Sequence, residues 1–415
     1  VHFSRARLDP RSALFAGTMM ATSLGFMVLA RAAIADALLN LWLCLAMFDI
    51  WRWIESPGRP ALLRVYLWMA LGVLTKGPVA ILVPAGASLL WFGFARDLRT
   101  WTRCVFDPLG IAVLVSVAGP WYLAQFSREG MAFIDGFFVR HNLDRFSSPM
   151  EGHSGGFLYY VPVVALAVLP YTGLLPRTLH GFRGAWQDRL DRFLWCWFLF
   201  VFGFFSLSGT KLPHYALLGA TPLVLLMARH RSGVRSRVAW STGPTLLWCA
   251  LLLVPSMIEP VQEQIQDPHF ADLLSAGSRS FGTGFRVAAI VGLASSLALP
   301  AIFRREPWKG AIGTGLITAA LLATIVVPSF GDLLQGPVRR AALRARDLGE
   351  PAVRYGLDTP SVSVYRRSIT RARPPEPGEL VLTQAARLDE LRAQPGASFD
   401  VLFEERGIVL ARRFR

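Results

Sequence analysis

Charge is scarce in this sequence, and lysine is scarcer still. Only 17% of the 415 residues are Asp, Glu, Lys or Arg, where a soluble domain carries about a quarter, so an ordinary soluble fold is excluded. Four cysteines (Cys44, Cys104, Cys196, Cys249) lie far apart, with no CxxC and no histidine nearby. That excludes a disulfide framework or a zinc site of the usual spacing, and the thiols read as small buried hydrophobes. There is no P-loop and no GxGxxG, so a bound nucleotide is not called for. No basic stripe interleaves with aromatics, and the net charge of +15 therefore does not point to nucleic acid. The basic segment, apolar segment and cleavage site of a signal peptide are also missing in that order. The chain opens Val1-His-Phe-Ser-Arg-Ala-Arg7 and is read as beginning downstream of the true N-terminus.

What is abundant is apolar sequence. Hydrophobic residues make up 53% of the chain, mean hydropathy is +0.41, and runs of about 18–20 apolar residues, long enough for a bilayer, recur. About eleven spans are expected, near 12–30, 34–51, 61–75, 78–95, 109–126, 156–176, 193–208, 215–229, 238–257, 285–303 and 310–329. Taken alternately, the connections hold 20 basic residues on one side, from Arg5 to Lys309, and 8 on the other: Arg31, Lys76, Arg128, Arg140, Arg145, Lys211, Arg279 and Arg286. Short arginine-rich connections stay cytoplasmic. The start of this chain is thus expected inside and its end outside.

Residues 330–415 differ in texture from the membrane region, 1–329. A basic helix-like run, Arg339–Arg346, precedes β-like stretches at Ala352–Tyr355, Ser361–Tyr365, Glu379–Leu382, Phe399–Glu404 and Ile408–Phe414, punctuated by Pro and Gly. A small α/β domain on the outer face is expected. No internal repeat is visible, and no paired broken spans of the transporter kind.

Two of the three lysines adjoin proline at boundary turns on the side poor in positive charge: Leu74-Thr-Lys76-Gly-Pro78 and Ser208-Gly-Thr-Lys211-Leu-Pro213-His214-Tyr215. Snorkelling to the interface explains either one alone. Both together, in a chain that otherwise writes arginine, favour an anion site. The longest outer loop, about Ser127–Gly155, holds Arg140-His141-Asn-Leu-Asp144-Arg145 and Glu151-Gly-His153. An amphipathic interfacial helix accounts for its Phe-Phe and Arg residues. It does not account for two histidines and Glu151 beside glycines, a set suited to a phosphate and a sugar. Asp36, at the start of the second span, is either a first-turn acid, an ion-pair partner of Arg31, or a functional carboxylate.

Pro120-Trp-Tyr122, Arg140-His-Asn-Leu-Asp-Arg145-Phe, Glu151-Gly-His153, Leu71-Gly-Val-Leu-Thr-Lys76-Gly-Pro78 and Ser206-Leu-Ser-Gly-Thr-Lys211-Leu-Pro-His-Tyr215 together resemble the bacterial aminoarabinose transferase-like glycosyltransferases. These are relatives of protein O-mannosyltransferases with the GT-C membrane fold, and Ser361-Val-Ser-Val-Tyr365 resembles their outer C-terminal domain. The resemblance covers essentially the whole chain. It implies an undecaprenyl-phosphate-linked sugar as donor, lipid A or another envelope acceptor, and a site at the outer face of the bacterial inner membrane. It also implies that Arg145 and Tyr215 hold the carrier phosphate and that Asp36 is the family's second acidic position. Lys211 and, more weakly, Lys76 join the phosphate ligands on charge and placement. Arg140, His141, Glu151, His153 and His214 are candidates for the sugar or acceptor side. The family's first outer loop, which carries the main base, and about two spans would precede Val1. On that expectation this chain alone is inactive.

The reaction so implied is displacement at the anomeric carbon, with a carboxylate taking the acceptor's proton while polyprenyl phosphate leaves. Cationic and hydroxyl groups would stabilise the charge growing on that phosphate. Because the donor is already activated, no nucleotide is needed; a divalent metal is compatible with the chemistry, but no histidine cluster argues for one. The rival readings are a lipid-linked sugar transporter, a protein O-glycosyltransferase and a structural envelope scaffold. Charges gathered on one face favour an enzyme with a single external site.

Overall fold

The protein is described by a computed structural model covering residues 2–414 apart from 33, 149–154, 235, 263–264, 266–270, 272–273 and 275–279; for 2, 141–143, 145 and 259 the backbone alone is described. The chain forms two compact units, Val1–Leu247 with Ser295–Ala319, and Trp248–Ala294 with Ala320–Arg415.

In the first unit every expected apolar segment coincides with helix, though not every helix could cross a bilayer alone. Among the described residues of the whole chain, six helices are long and apolar enough, or eight if each of two bent pairs is one span. The shortfall is physical. Arg59–Lys76 carries Arg59, Arg64 and Lys76 within 18 residues, Val79–Phe94 has only 16 residues, and the segment near 215–229 is a 3₁₀ stretch, Pro213–Gly219, followed by the ten-residue helix Ala220–Arg229.

The bent pairs correct the expectation of no paired broken spans. Pro10–Thr22 and Leu24–Arg31 meet at 52°, and Phe157–Ala167 and Thr172–His180 at 116°. The two breaks touch: the Leu24 N–H donates to the Leu169 carbonyl (2.8 Å), and Thr22 Oγ1 meets the Tyr171 hydroxyl at 2.7 Å. One backbone bond and one hydroxyl pair thus join the two breaks, and such internal partners are what a low-dielectric surrounding demands. The two breaks pack against each other.

At the centre lies Arg189–Leu207, capped at its start by the Asp188 carboxylate accepting from the Leu190 and Asp191 N–H groups (2.9 Å each). Its Trp195, Cys196 and Trp197 are buried, and Trp197 Nε1 donates to the Leu218 carbonyl at 3.2 Å. That bond ties the 3₁₀ stretch to the core. Beside it, Asp36–Glu55 and Arg59–Lys76 run antiparallel. Near one end, buried Asp49 accepts from Arg64 (2.9 Å to each oxygen), Arg52 (2.7 Å) and Trp68 (2.8 Å). About 20 Å along the helix axis, the other end carries Asp36 and Lys76.

The second unit includes a four-stranded sheet: β1 (Ala352–Arg354), β2 (Leu380–Gln384), β3 (Phe399–Glu405) and β4 (Ile408–Arg413), in the order β1-β2-β4-β3. β1 pairs parallel with β2, and the other pairings are antiparallel. The two residues joining β3 to β4, Arg406 (φ 50°) and Gly407 (φ 73°), both adopt positive φ, as a tight hairpin turn requires. Alternation buries both faces. Leu380, Leu382, Ile408 and Leu410 pack under Ala341, Ala342 and Ala345 of the long helix ending at Leu348, while Val381, Val409 and Ala411 pack on Leu388 and Leu391 of Ala385–Arg392.

Ser361–Tyr365, expected as a strand, is instead part of the helix Ser361–Arg366. Its valines do not lie on a strand's alternate face: Val362 is fully buried against the long helix and Val364 is 72% exposed. Packing of one helical edge overrides the β-branched propensity.

Arg373 donates to both Glu379 oxygens (2.8 and 2.7 Å), and the Glu376 N–H adds a bond of 2.8 Å. The Arg373 bonds chiefly hold the Glu379 carboxyl below its ordinary value of 4.5. The stabilisation is complete above that value and is lost as pH falls through the lower folded one. Protection factors of the amides over Gly378–Leu382 should therefore fall as pH is lowered from about 5 to about 3, against the intrinsic slowing of exchange over that range. Glu379→Gln should flatten that fall.

Candidate functional site

Glycine ends the Arg59–Lys76 helix: Gly77, at φ +90°, lies where a Cβ would come within 2.8 Å of the Phe137 ring. The stop leaves Lys76 in the last turn, opposite Asp36 in the first turn of its antiparallel neighbour. Lys76 Nζ donates to both Asp36 oxygens at 2.6 Å. The Asp36 side chain is 4% exposed and that of Lys76 27%. Asp36 thus pairs with Lys76, the alternative with Arg31 does not form, and the first-turn position adds only the helix-dipole contribution.

Two more residues converge on this pair. His214 Nε2 is 3.7 Å from Asp36 Oδ1, and Lys76 Nζ stands 5.1 Å from the centre of the Tyr215 ring, within cation–π range. Asp36, Lys76 and Tyr215 line a cavity of about 640 Å³ whose walls also include Phe137, Phe138, Phe146, Phe204, Phe205 and Leu218. A polar head on an aromatic trough of this volume is the usual form of a small-ligand site. Thr75 and Ser208 also line it; their position beside Lys76 and in the glycine turn was the available signal for them. The phenylalanine wall carried no signal beyond ordinary hydrophobicity.

Lys211 is a correction. It is buried, and its ammonium donates to the carbonyls of Phe205 (3.2 Å), Ser206 (2.6 Å) and Ser208 (2.5 Å). Three donors meet three acceptors left over at the end of Arg189–Leu207, so the lysine caps that helix rather than facing the cavity. Lys211→Met should lower stability by about 1–3 kcal/mol, since buried carbonyls lose their partner. Thermal unfolding in detergent reads this. Loss of activity with an unchanged melting temperature would return Lys211 to the ligand site.

Nor is the stretch after Ser127 an irregular loop. Pro108–Glu129 runs past Ser127, Met131–Phe133 follows, and a π-helical stretch, Ile134–Asp144, leads into Arg145–Ser147. Its aromatic residues account for the helix: Phe133, Phe137 and Phe138 pack on one another and on Tyr122. Arg140 is exposed on this stretch and is not among the described residues that line the cavity. The side chains of His141 and Arg145 lie outside the described part of the structure, as do Glu151 and His153 entirely.

The backbone beside Arg145 is nevertheless well tied. The Gly209 N–H donates to the Phe146 carbonyl (2.6 Å), Thr210 Oγ1 donates to the Ser148 carbonyl (3.1 Å), and the Phe146 ring stacks on Phe204 at 5.0 Å. A Cβ on Gly209 would lie 2.7–2.9 Å from Ser148 backbone atoms. The glycine of the Ser-Gly-Thr-Lys turn is therefore what admits the Arg145 segment to the rim. Among the described residues no three His, Cys, Asp or Glu side chains converge to hold a metal.

A helical polytopic bundle with a small C-terminal α/β region defines the class: this is a multi-pass membrane protein with the GT-C fold. Solved structures share that fold. The ArnT protein from Cupriavidus metallidurans, in a crystal structure bound to undecaprenyl phosphate, superposes with a TM-score of 0.79 at 19% identity, over 99% of this chain and 80% of that one. Its apo form gives 0.79 at 17% identity. Residues 2–123 match the family model described as dolichyl-phosphate-mannose-protein mannosyltransferase. The chain is 32% identical over 208 residues (48% of its length) to the undecaprenyl phosphate-alpha-4-amino-4-deoxy-L-arabinose arabinosyl transferase of Erwinia tasmaniensis, and 34% identical over 240 residues (54%) to the like-named protein of Yersinia pestis. It spans 36% and 42% of the lengths of those relatives. Over the matched stretches, about half of its length, this chain is similar to aminoarabinose transferases.

Proposed function

We propose that the chain is part of a glycosyltransferase that moves a sugar from an undecaprenyl-phosphate carrier to lipid A or another envelope acceptor. The observation that carries this reading is the cavity in which Asp36, Lys76 and Tyr215 meet a phenylalanine trough. A polyprenyl phosphate has the same two parts, an anionic head and an apolar chain. Bacterial arabinosyl transferases named for an undecaprenyl-phosphate sugar are 32–34% identical to this chain over the matched stretch, which supports the same donor class.

In this reading Lys76 and the Tyr215 hydroxyl stabilise charge growing on the departing phosphate, in a surrounding of low dielectric that strengthens each contact. Arg145, in the backbone segment docked on Gly209, joins them. Asp36 orients Lys76 and, with His214 beside it, is placed to take or relay the acceptor's proton. Arg140, His141, Glu151 and His153 belong to the sugar and acceptor side. The arginine asymmetry of the connections supports a cytoplasmic start of this chain, with residues 330–415 on the periplasmic side of the inner membrane.

The test is mass spectrometry of envelope lipids from cells with and without the gene. Loss of one sugar mass from lipid A, with accumulation of the carrier-linked sugar, is the expected result. Accumulation with lipid A unchanged keeps the transferase and moves the acceptor elsewhere. No change in either sinks the reading.

A further inference from the structure

The sheet region holds a second cavity that sugar transfer does not use. It measures about 410 Å³ and lies where β1 borders the connection running from the Ser361–Arg366 helix to Glu379. Three guanidinium groups and one carboxylate line it: Arg366, Arg371, Arg373 and Glu379. Glu379 is already committed to Arg373 at 2.7 and 2.8 Å, so two positive charges remain without an acid in the lining.

Arg366 is the unusual member. It is 9% exposed, yet among the described residues every acceptor it has is a neutral oxygen: the Ala352 carbonyl (3.3 Å), Thr370 Oγ1 (2.9 Å) and the Glu350 carbonyl (3.1 Å). Its Nε is sealed from solvent and has no acceptor among the described residues. A buried cation is ordinarily paired with an anion, and a buried donor left over asks for one. Burial also pulls the Arg366 pKa down, so an arriving anion would relieve an existing penalty.

Arg371 stands at the mouth, exposed. Its backbone is fixed there, the carbonyl accepting the Arg354 N–H at 2.9 Å while Ala372 bridges to Arg354. A simpler account makes Arg366 a tie between β1 and the loop. That explains its three neutral bonds but neither Arg371 nor the open space between them.

We propose that this cavity binds a phosphate group, with Arg366 at its floor and Arg371 at its mouth as the cationic ligands. Two uncompensated guanidinium groups match the charge of a phosphate monoester, and their planar forks match its several oxygens. Ile369, 87% exposed at the rim, suits a phosphate that carries a hydrocarbon chain, so the group can arrive free or as a lipid headgroup.

The full chain in phosphatidylcholine nanodiscs, followed by hydrogen exchange over residues 363–373, tests this. Inorganic phosphate, dihexanoyl phosphatidate and dihexanoyl phosphatidylcholine are the three probes. Saturable slowing of exchange by phosphate is expected if the free anion suffices, and by phosphatidate alone if the headgroup needs its chain. In either case Arg371→Gln should weaken the half-saturating concentration about tenfold. Arg392→Gln, an exposed arginine of the same region paired with Asp389, should leave it unchanged. Arg366→Gln should abolish the effect; should that variant unfold, Arg371→Gln still decides. Equal protection by phosphatidylcholine, no protection by any probe, or an Arg371→Gln variant that binds like wild type overturns the proposal.

Discussion

Replacing Lys76 with methionine should lower the stability of the helical region by about 3–5 kcal/mol, and replacing Asp36 with leucine as well should recover most of that loss. The reason is the asymmetry of buried ion pairs. With Lys76 gone, the Asp36 carboxylate, 4% exposed, keeps its desolvation cost and loses the donor that bonds both its oxygens. His214 at 3.7 Å offsets part of this only when protonated. With both partners apolar, the charge and its cost vanish together. Unfolding in detergent, monitored by intrinsic tryptophan fluorescence, measures the cycle.

On the proposed function, a sugar-transfer assay separates function from scaffolding. Both single variants and the double variant should lose transfer, because the polar head of the cavity has gone even where the fold has recovered. The Asp49–Arg64 pair clamps the same two helices near their other end and does not line the cavity. Removing that pair on both sides should leave transfer largely intact. A stable Asp36/Lys76 double variant that still transfers sugar would falsify the catalytic assignment and make the pair a second clamp.

Gly209→Ala should reduce transfer at least about a hundredfold, with a smaller effect on stability. The new Cβ would meet the Ser148 backbone at 2.7–2.9 Å, and backbone cannot yield as a side-chain tip can. The Phe146–Ser148 segment must lift off the turn, breaking the bond from the Gly209 N–H to the Phe146 carbonyl and moving the adjoining Arg145. A displacement of about 1 Å at a positioned group is enough for such a loss. Steady-state kinetics with a soluble short-chain donor should show the damage in both KM and kcat. Wild-type kinetics in this variant would mean that the Arg145 segment is not held in place by this turn.

Much of the fold was legible because crossing a bilayer is a one-dimensional requirement. Length and apolarity can be read along the chain, and each of the eleven segments expected from them coincides with helix. Breaks were less legible. Ser23 carries no proline, and the kink there is completed by the carbonyl of Leu169, a partner 145 positions away. Ser361–Tyr365 misled for a similar reason: two valines spaced by one residue read as a strand, but one lies in a core built by another helix and the other in solvent.

The candidate site divides in the same way. Lysine at two proline turns in an arginine-rich chain drew attention to both turns by composition alone, but the two ammonium groups have different fates. Lys76 meets a carboxylate at the rim of a cavity, whereas Lys211 turns back onto three carbonyls of the helix it follows. Nothing local distinguishes Thr-Lys-Gly-Pro from Thr-Lys-Leu-Pro in this respect. Composition, hydropathy and charge asymmetry along the chain determined by themselves that this is a multi-pass membrane protein, because desolvation acts residue by residue along each span. Which acid meets which base, and which lysine lines the cavity, only the tertiary structure decided. Those pairings depend on the antiparallel register of Asp36–Glu55 against Arg59–Lys76 and on the close approach at Gly209, and both are set by packing between segments far apart in sequence.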